Sequence, residues 1–134
     1  MLKKITLFSS GSLTQEGTGS YRLLLTYQHN TKEWVQEMVE TTQERLQLSA
    51  LIKGLSMLQE PCTVTVYTDA PYVEKGASVW LDRWDKRDFT HVLNSDLWQA
   101  YLHYTQRHTV QIVLLESETF EHDYSQIKTD SKTV

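Results

Sequence analysis

Cysteine is almost absent: Cys62 stands alone in 134 residues. That excludes an intrachain disulfide and a cysteine-built zinc site. Two prolines and five glycines exclude collagen-like and low-complexity chains. No uncharged apolar run approaches the ~20 residues that a membrane helix needs. The opening Leu2-Lys3-Lys4-Ile5-Thr6-Leu7-Phe8 is too short in apolar length for a secretory leader, so a cytoplasmic protein with no membrane partner is expected. Positive charge is also scarce. Thirteen Lys plus Arg face seventeen Asp plus Glu, a formal net charge of −4. Affinity for nucleic acid rests on phosphate neutralisation by basic groups, so such a chain is a poor non-specific binder unless it carries a local basic patch. Aromatic residues are plentiful. Seven Tyr, four Trp and three Phe supply enough buried surface to exclude intrinsic disorder, and the length suits one domain.

The apolar pattern begins on a two-residue period. Lys4-Ile5-Thr6-Leu7-Phe8 reads as strand one, ended by the turn-forming cluster Ser9-Ser10-Gly11-Ser12. Strand two places Tyr21, Leu23, Leu25 and Tyr27 on one face. Strand three places Trp34, Gln36 and Met38 on one face. Short connections imply an antiparallel meander. The period then changes. Thr41-Thr42-Gln43-Glu44 reads as a capping box with Thr41 as N-cap, and Leu48, Leu51, Ile52, Leu55 and Leu58 predict a helix over 42–59. Thr63-Val64-Thr65-Val66-Tyr67-Thr68 is a β-branched strand, which a preceding helix allows to lie parallel to strand one.

Pro71 suits the first turn of a second helix, with Tyr72, Val73, Gly76, Val79, Trp80, Arg83 and Trp84 at helical spacing. A polar loop over 85–93 follows. Asn94 or Ser95 can cap a third helix bearing Leu97, Trp98, Tyr101 and Leu102. Val110-Gln111-Ile112-Val113-Leu114-Leu115 is a last strand, and Phe120, Tyr124 and Ile127 make one more helical stripe. The fold class is therefore α/β: a mixed five-stranded sheet with flanking helices, one domain over 1–127, and a polar tail over 128–134 expected to be disordered. Parallel strands one and four would set Ser10 beside Asp69, at the strand ends where such sheets carry their sites. The helix from Thr42 is expected to pass over both.

These segments resemble type 1 ribonuclease H. That family opens with a strand running into Asp-Gly-Ser, and Phe8-Ser9-Ser10-Gly11-Ser12 occupies this stretch. Its Thr-Thr-Asn-Asn-Arg-Met-Glu-Leu motif corresponds to Thr41-Thr42-Gln43-Glu44-Arg45-Leu46-Gln47-Leu48. Its Thr-Asp-Ser-x-Tyr-Val motif corresponds to Thr68-Asp69-Ala70-Pro71-Tyr72-Val73. Trp80, Trp84 and Asn94-Ser95-Asp96-Leu97-Trp98 match further positions. The resemblance implies a ribonuclease H-like sheet of order 3-2-1-4-5. It also implies cleavage of the RNA strand of an RNA–DNA hybrid by two Mg²⁺ or Mn²⁺ ions held by four carboxylates. Two divalent ions ~3.5–4 Å apart clamp the attacking water and the leaving oxygen, and carboxylates supply both charge and hard oxygen ligands.

Carried over position by position, the four catalytic places are Ser10, Gln47, Asp69 and, within Glu121-His122-Asp123, Asp123. Ser10 and Gln47 keep oxygen atoms but no charge. The expected metal ligands shrink to Asp69 and Asp123, with Glu44, one turn before Gln47, as a relocated third. Thr42 matches a position that contacts a DNA phosphate, and Trp80 and Trp84 match the lining of the hybrid groove. In the protrusion over 74–88, Lys75, Arg83, Lys86 and Arg87 are balanced by Glu74, Asp82, Asp85 and Asp88, leaving Lys86-Arg87 as the local basic pair. Blander readings stand beside these: Asp69 as a helix cap, Glu44 within the capping box, His122 as a solvated side chain, and the tryptophans as packing. The functional expectation is a ribonuclease H-like protein without efficient hybrid cleavage, with no cofactor assigned and Mg or Mn taken if a metal binds at all. It would bind an RNA–DNA hybrid or other nucleic acid weakly, or play a regulatory part. The alternatives are a protein-interaction module with a protein partner, and an active metal-dependent endoribonuclease with relocated ligands.

Overall fold

The computed structural model describes residues 2–130 and the backbone of 132–133. Three antiparallel strands come first: β1 (Lys3–Leu13), β2 (Gly19–Tyr27) and β3 (Asn30–Met38). Helix α1 (Gln43–Ser56) then returns the chain so that β4 (Cys62–Thr68) lies parallel to β1. Next come α2 (Pro71–Lys75), a single π-helical turn (Gly76–Trp80) and α3 (Leu81–Lys86), which run on as one helical rod. Helix α4 (Ser95–Thr105), strand β5 (Thr109–Leu114) and helix α5 (Ser117–Asp130) complete the domain. The five long strands have the order 3-2-1-4-5, and a two-residue strand β6 (Lys132–Thr133) adds to the β3 edge. Helix α5 continues to Asp130, so residues 128–130 of the expected tail are helical. Residues 131 and 134 lie outside the described residues.

Strand alternation divides the core in two. Ile5, Leu7, Leu23, Leu25, Val64 and Val66 face α1 and α4, and they pack with Leu48, Leu51, Leu55 and Trp98. The alternate residues Phe8, Leu24 and Tyr67 face α5, under Phe120 and Tyr124. Phe8 stacks on Tyr67 with ring centres 5.0 Å apart. Helix α5 is pinned by Tyr124, whose hydroxyl donates to Glu33 Oε2 on β3 at 2.6 Å, and by Lys128, 2.9 Å from Glu33 Oε1. Burial and the Glu33 hydrogen bond push the Tyr124 pKa well above the ordinary tyrosine value.

Three local expectations are corrected. Strand β1 does not end at Ser9. It continues to Leu13, paired with Gly19, because the ladder to β2 supplies partners that outweigh the turn propensity of Ser-Ser-Gly-Ser. The α1 N-cap is Thr42, not Thr41: Thr42 Oγ1 accepts from Arg45 N at 3.2 Å. Among the described residues, Thr41 Oγ1 is buried with no hydrogen-bond partner. The Pro71 helix is capped at Ala70 with no side-chain capping bond, so Asp69 is not a helix cap.

Candidate active site

Pairing register alone assembles the site. In the antiparallel ladder Ser10 lies opposite Arg22, and in the parallel ladder Ser9 lies opposite Thr68. One residue further, Ser10 therefore meets Asp69. The three side chains share the sheet face that Phe8 and Leu24 present to α5, because side chains two apart on a strand point the same way. They border a shallow pocket of about 160 Å³ with Gly11, Ser12, Ser20 and Glu121. The Ser10 hydroxyl is 3.0 Å from Asp69 Oδ1 and 3.2 Å from Oδ2, donating to the carboxylate. Arg22 is ion-paired with Glu121 Oε1 of α5. Its guanidinium also lies over the Tyr124 and Phe120 rings, 4.6 and 5.5 Å from their centres.

Helix α1 reaches this place from the opposite face, not over Ser10 and Asp69. It abuts Gly11, where an added Cβ would stand 2.9 Å from the Leu46 carbonyl carbon and 3.0 Å from Gln47 N. Glycine is needed there for room. Gln43 locks the approach. Its Nε2 donates to Gly11 O at 2.8 Å, and its Oε1 accepts from Leu13 N at 2.9 Å. The Gln47 backbone thus lies against Gly11, while the Gln47 side chain is not part of the pocket lining.

The α5 carboxylate at the pocket is Glu121, not Asp123. Phe120 and Tyr124 are driven inward, and that rotation turns Glu121 toward Arg22. The relocated set of Glu44, Asp69 and Asp123 does not come together. Among the described residues, no three His, Cys, Asp or Glu side chains are grouped to hold a metal. A pair of divalent ions does not fit the donors present. Asp69 accepts a serine hydroxyl, Glu121 is bound to a guanidinium, and Gln47 is neutral. Sequence reasoning missed Arg22. Its signal was the hairpin register, which makes it the cross-strand partner of Ser10.

The groove residues are placed as follows. Thr42 is exposed at the start of α1, and Lys86 and Arg87 are exposed where α3 ends. Trp80 and Trp84 are half-buried with ring centres 5.8 Å apart, and Trp84 lies 5.3 Å from the fully buried Trp98. Both therefore contribute to packing. Arg45 holds Asp96 through two bonds, at 3.0 and 2.7 Å, and reaches Asn94 Oδ1 at 3.2 Å, which ties α1 to α4. The hydrogen bond from Arg45 keeps the Asp96 carboxyl below the usual range.

The RNase H family model matches residues 2–117. A ribonuclease H of a Sulfurovum species is 44% identical over 109 residues, covering 81% of this chain and 74% of its own. A ribonuclease H of Campylobacter concisus is 40% identical over 110 residues, covering 81% and 76%. Two solved structures share the fold. One is LC9-RNase H1, described as a type 1 RNase H with the type 2 active-site motif, with a TM-score of 0.76 at 17% identity, covering 98% of this chain and 75% of its own. The other is LC11-RNase H1 in complex with an RNA/DNA hybrid, with a TM-score of 0.69 at 16% identity, covering 88% and 89%. The chain belongs to the ribonuclease H family. No helix among the described residues is long and apolar enough to cross a membrane.

Proposed function

We propose that this ribonuclease H-like protein engages RNA–DNA hybrid weakly and does not cleave it efficiently. One observation carries the reading: both carboxylates at the pocket already have protein partners, Asp69 in Ser10 and Glu121 in Arg22. Mg²⁺ dehydrates reluctantly and depends on free carboxylates plus substrate phosphates. Ser10 and Gln47 add no charge to attract it. The four acids of the protrusion offset its four bases, so few counterions are released on binding and affinity falls only gently with salt. Thr42 and a partly exposed tryptophan remain as contacts for a phosphate and a base.

The test is hybrid cleavage in Mg²⁺ and in Mn²⁺, with Asp69→Asn beside the wild type. The expected result is no turnover above background. Robust wild-type turnover abolished by Asp69→Asn would overturn the reading. A second reading, a protein-interaction module, is favoured by Val35 and Val39, which are 61% and 70% exposed around β3. Titration of hybrid at low salt separates the two, because that module binds no hybrid there.

A further inference from the structure

Arg22 introduces a permanent cation where the resemblance calls for metal ions. It is the cross-strand partner of Ser10 and shares a pocket with Asp69 and Glu121. A guanidinium does not lose its charge at any ordinary pH. Its position is fixed from two sides, by the Glu121 carboxylate and by the faces of Tyr124 and Phe120. Electron-rich ring faces attract a cation, more so where water is excluded. Arg22 therefore does for the pocket what a bound metal does elsewhere: it neutralises a carboxylate and draws the last helix onto the sheet.

Resting on the reading above, we propose that Arg22 replaces a metal ion as a built-in cation, and that it prevents tight binding of divalent ions even when the two lost carboxylates are restored. Asp69 and Glu121 are negative and Arg22 is positive, which leaves one net negative charge. Ser10→Asp adds one negative charge to the lining itself, and Gln47→Glu adds a second only beside it, on the helix that abuts Gly11, so the total reaches three at most, still short of the four positive charges of two divalent ions. Removing Arg22 as well supplies the fourth and frees Glu121. Repulsion between the guanidinium and a dication scales with the product of their charges and is weakly screened in a partly buried site. Two ligand reversions alone are thus not enough.

Mn²⁺ alone is the probe, followed by calorimetry and by the loss of the free-ion electron paramagnetic resonance signal. The proteins are the wild type, Ser10→Asp/Gln47→Glu, and that pair combined with Arg22→Ala or with Arg22→Gln. Glutamine keeps part of the side chain over the Phe120 and Tyr124 rings, so it serves if alanine loosens α5. Circular dichroism establishes that each variant is folded. We expect no binding by the wild type, weak binding by the double variant, and binding at least tenfold tighter by a folded triple variant. Triple variants no better than the double, whether all of them bind or none does, overturn the role of Arg22 alone. Tight uptake of two ions by the wild type instead sinks the functional reading on which it rests.

Discussion

Gly76 gives a prediction in which two physical rules disagree in sign. It sits at φ −60° and ψ −47°, an ordinary helical conformation open to any residue. Helix propensity alone says that Gly76→Ala stabilises the protein by about 0.5–1 kcal/mol. Packing says otherwise. A Cβ at Gly76 would stand 2.2 and 2.4 Å from two indole carbons of Trp98, where carbon atoms normally rest ~3.5–4.0 Å apart. The indole would have to retreat by roughly 1.3 Å to reach that separation. Trp98 has nowhere to go. It is fully buried, packed among the rings of Tyr72, Trp84 and Tyr101, and its Nε1 donates to the Tyr72 hydroxyl at 2.9 Å. Overpacking of this kind costs about 1–3 kcal/mol or more. Net destabilisation of roughly 1–2 kcal/mol follows, and at about 4 °C per kcal/mol the melting temperature falls by about 4–8 °C. Thermal denaturation followed by near-ultraviolet circular dichroism reads both the shift and the environment of the tryptophans. Trp98→Phe removes the part of the ring that meets Cβ, so adding Gly76→Ala to that variant should do less harm than adding it to the wild type, with a coupling of about 1 kcal/mol. An unchanged or raised melting temperature for Gly76→Ala refutes the reasoning.

Two further predictions follow from the polar contacts. His108 is buried, its Nδ1 accepts from Cys62 N at 3.0 Å, and burial lowers its pKa below the ordinary value. The neutral form is thus favoured by folding. Its contribution is complete above the unfolded pKa of about 6.5 and is lost as pH falls through the lower folded value, so His108→Gln should flatten the dependence of urea midpoint on pH below 6.5. A mutant curve as steep as the wild type contradicts this. Asp96→Asn should cost about 0.5–1 kcal/mol at low salt, because the Arg45 pair is two-pronged but Asp96 is 64% exposed on its side chain. The loss should shrink in 1 M NaCl, and a deficit that does not respond to salt would mean that the pair acts through packing instead.

Much of the fold was legible because it is written in periods. The alternation of β1 and β4 and the leucine spacing of α1 report which side is buried, and burial dominates folding. The Ser10–Asp69 pairing followed from strand direction alone. What escaped needed facts beyond period. Thr41 and Thr42 are chemically alike, and the contacts of Gln43 with Gly11 and Leu13 decide which one caps α1. Choosing Glu121 over Asp123 required the rotation of α5, which Phe120 and Tyr124 set by packing on Phe8. The side from which α1 approaches was concealed because Gly11 reads as a turn signal, whereas its missing side chain here admits a neighbouring backbone.

The π-helical turn over Gly76–Trp80 joins α2 to α3 without a break in the rod. Such a turn holds one residue more than an α-turn in the same axial run. That surplus acts as slack. A version of this segment one residue shorter could wind into uninterrupted α-helix and still leave Tyr72 and Trp84 aimed at Trp98. The same deletion within α1 would rotate everything beyond it by about a hundred degrees and strip leucines from the interior. Length can therefore drift in the rod that carries the tryptophans, while the rod beneath the sheet must keep its count.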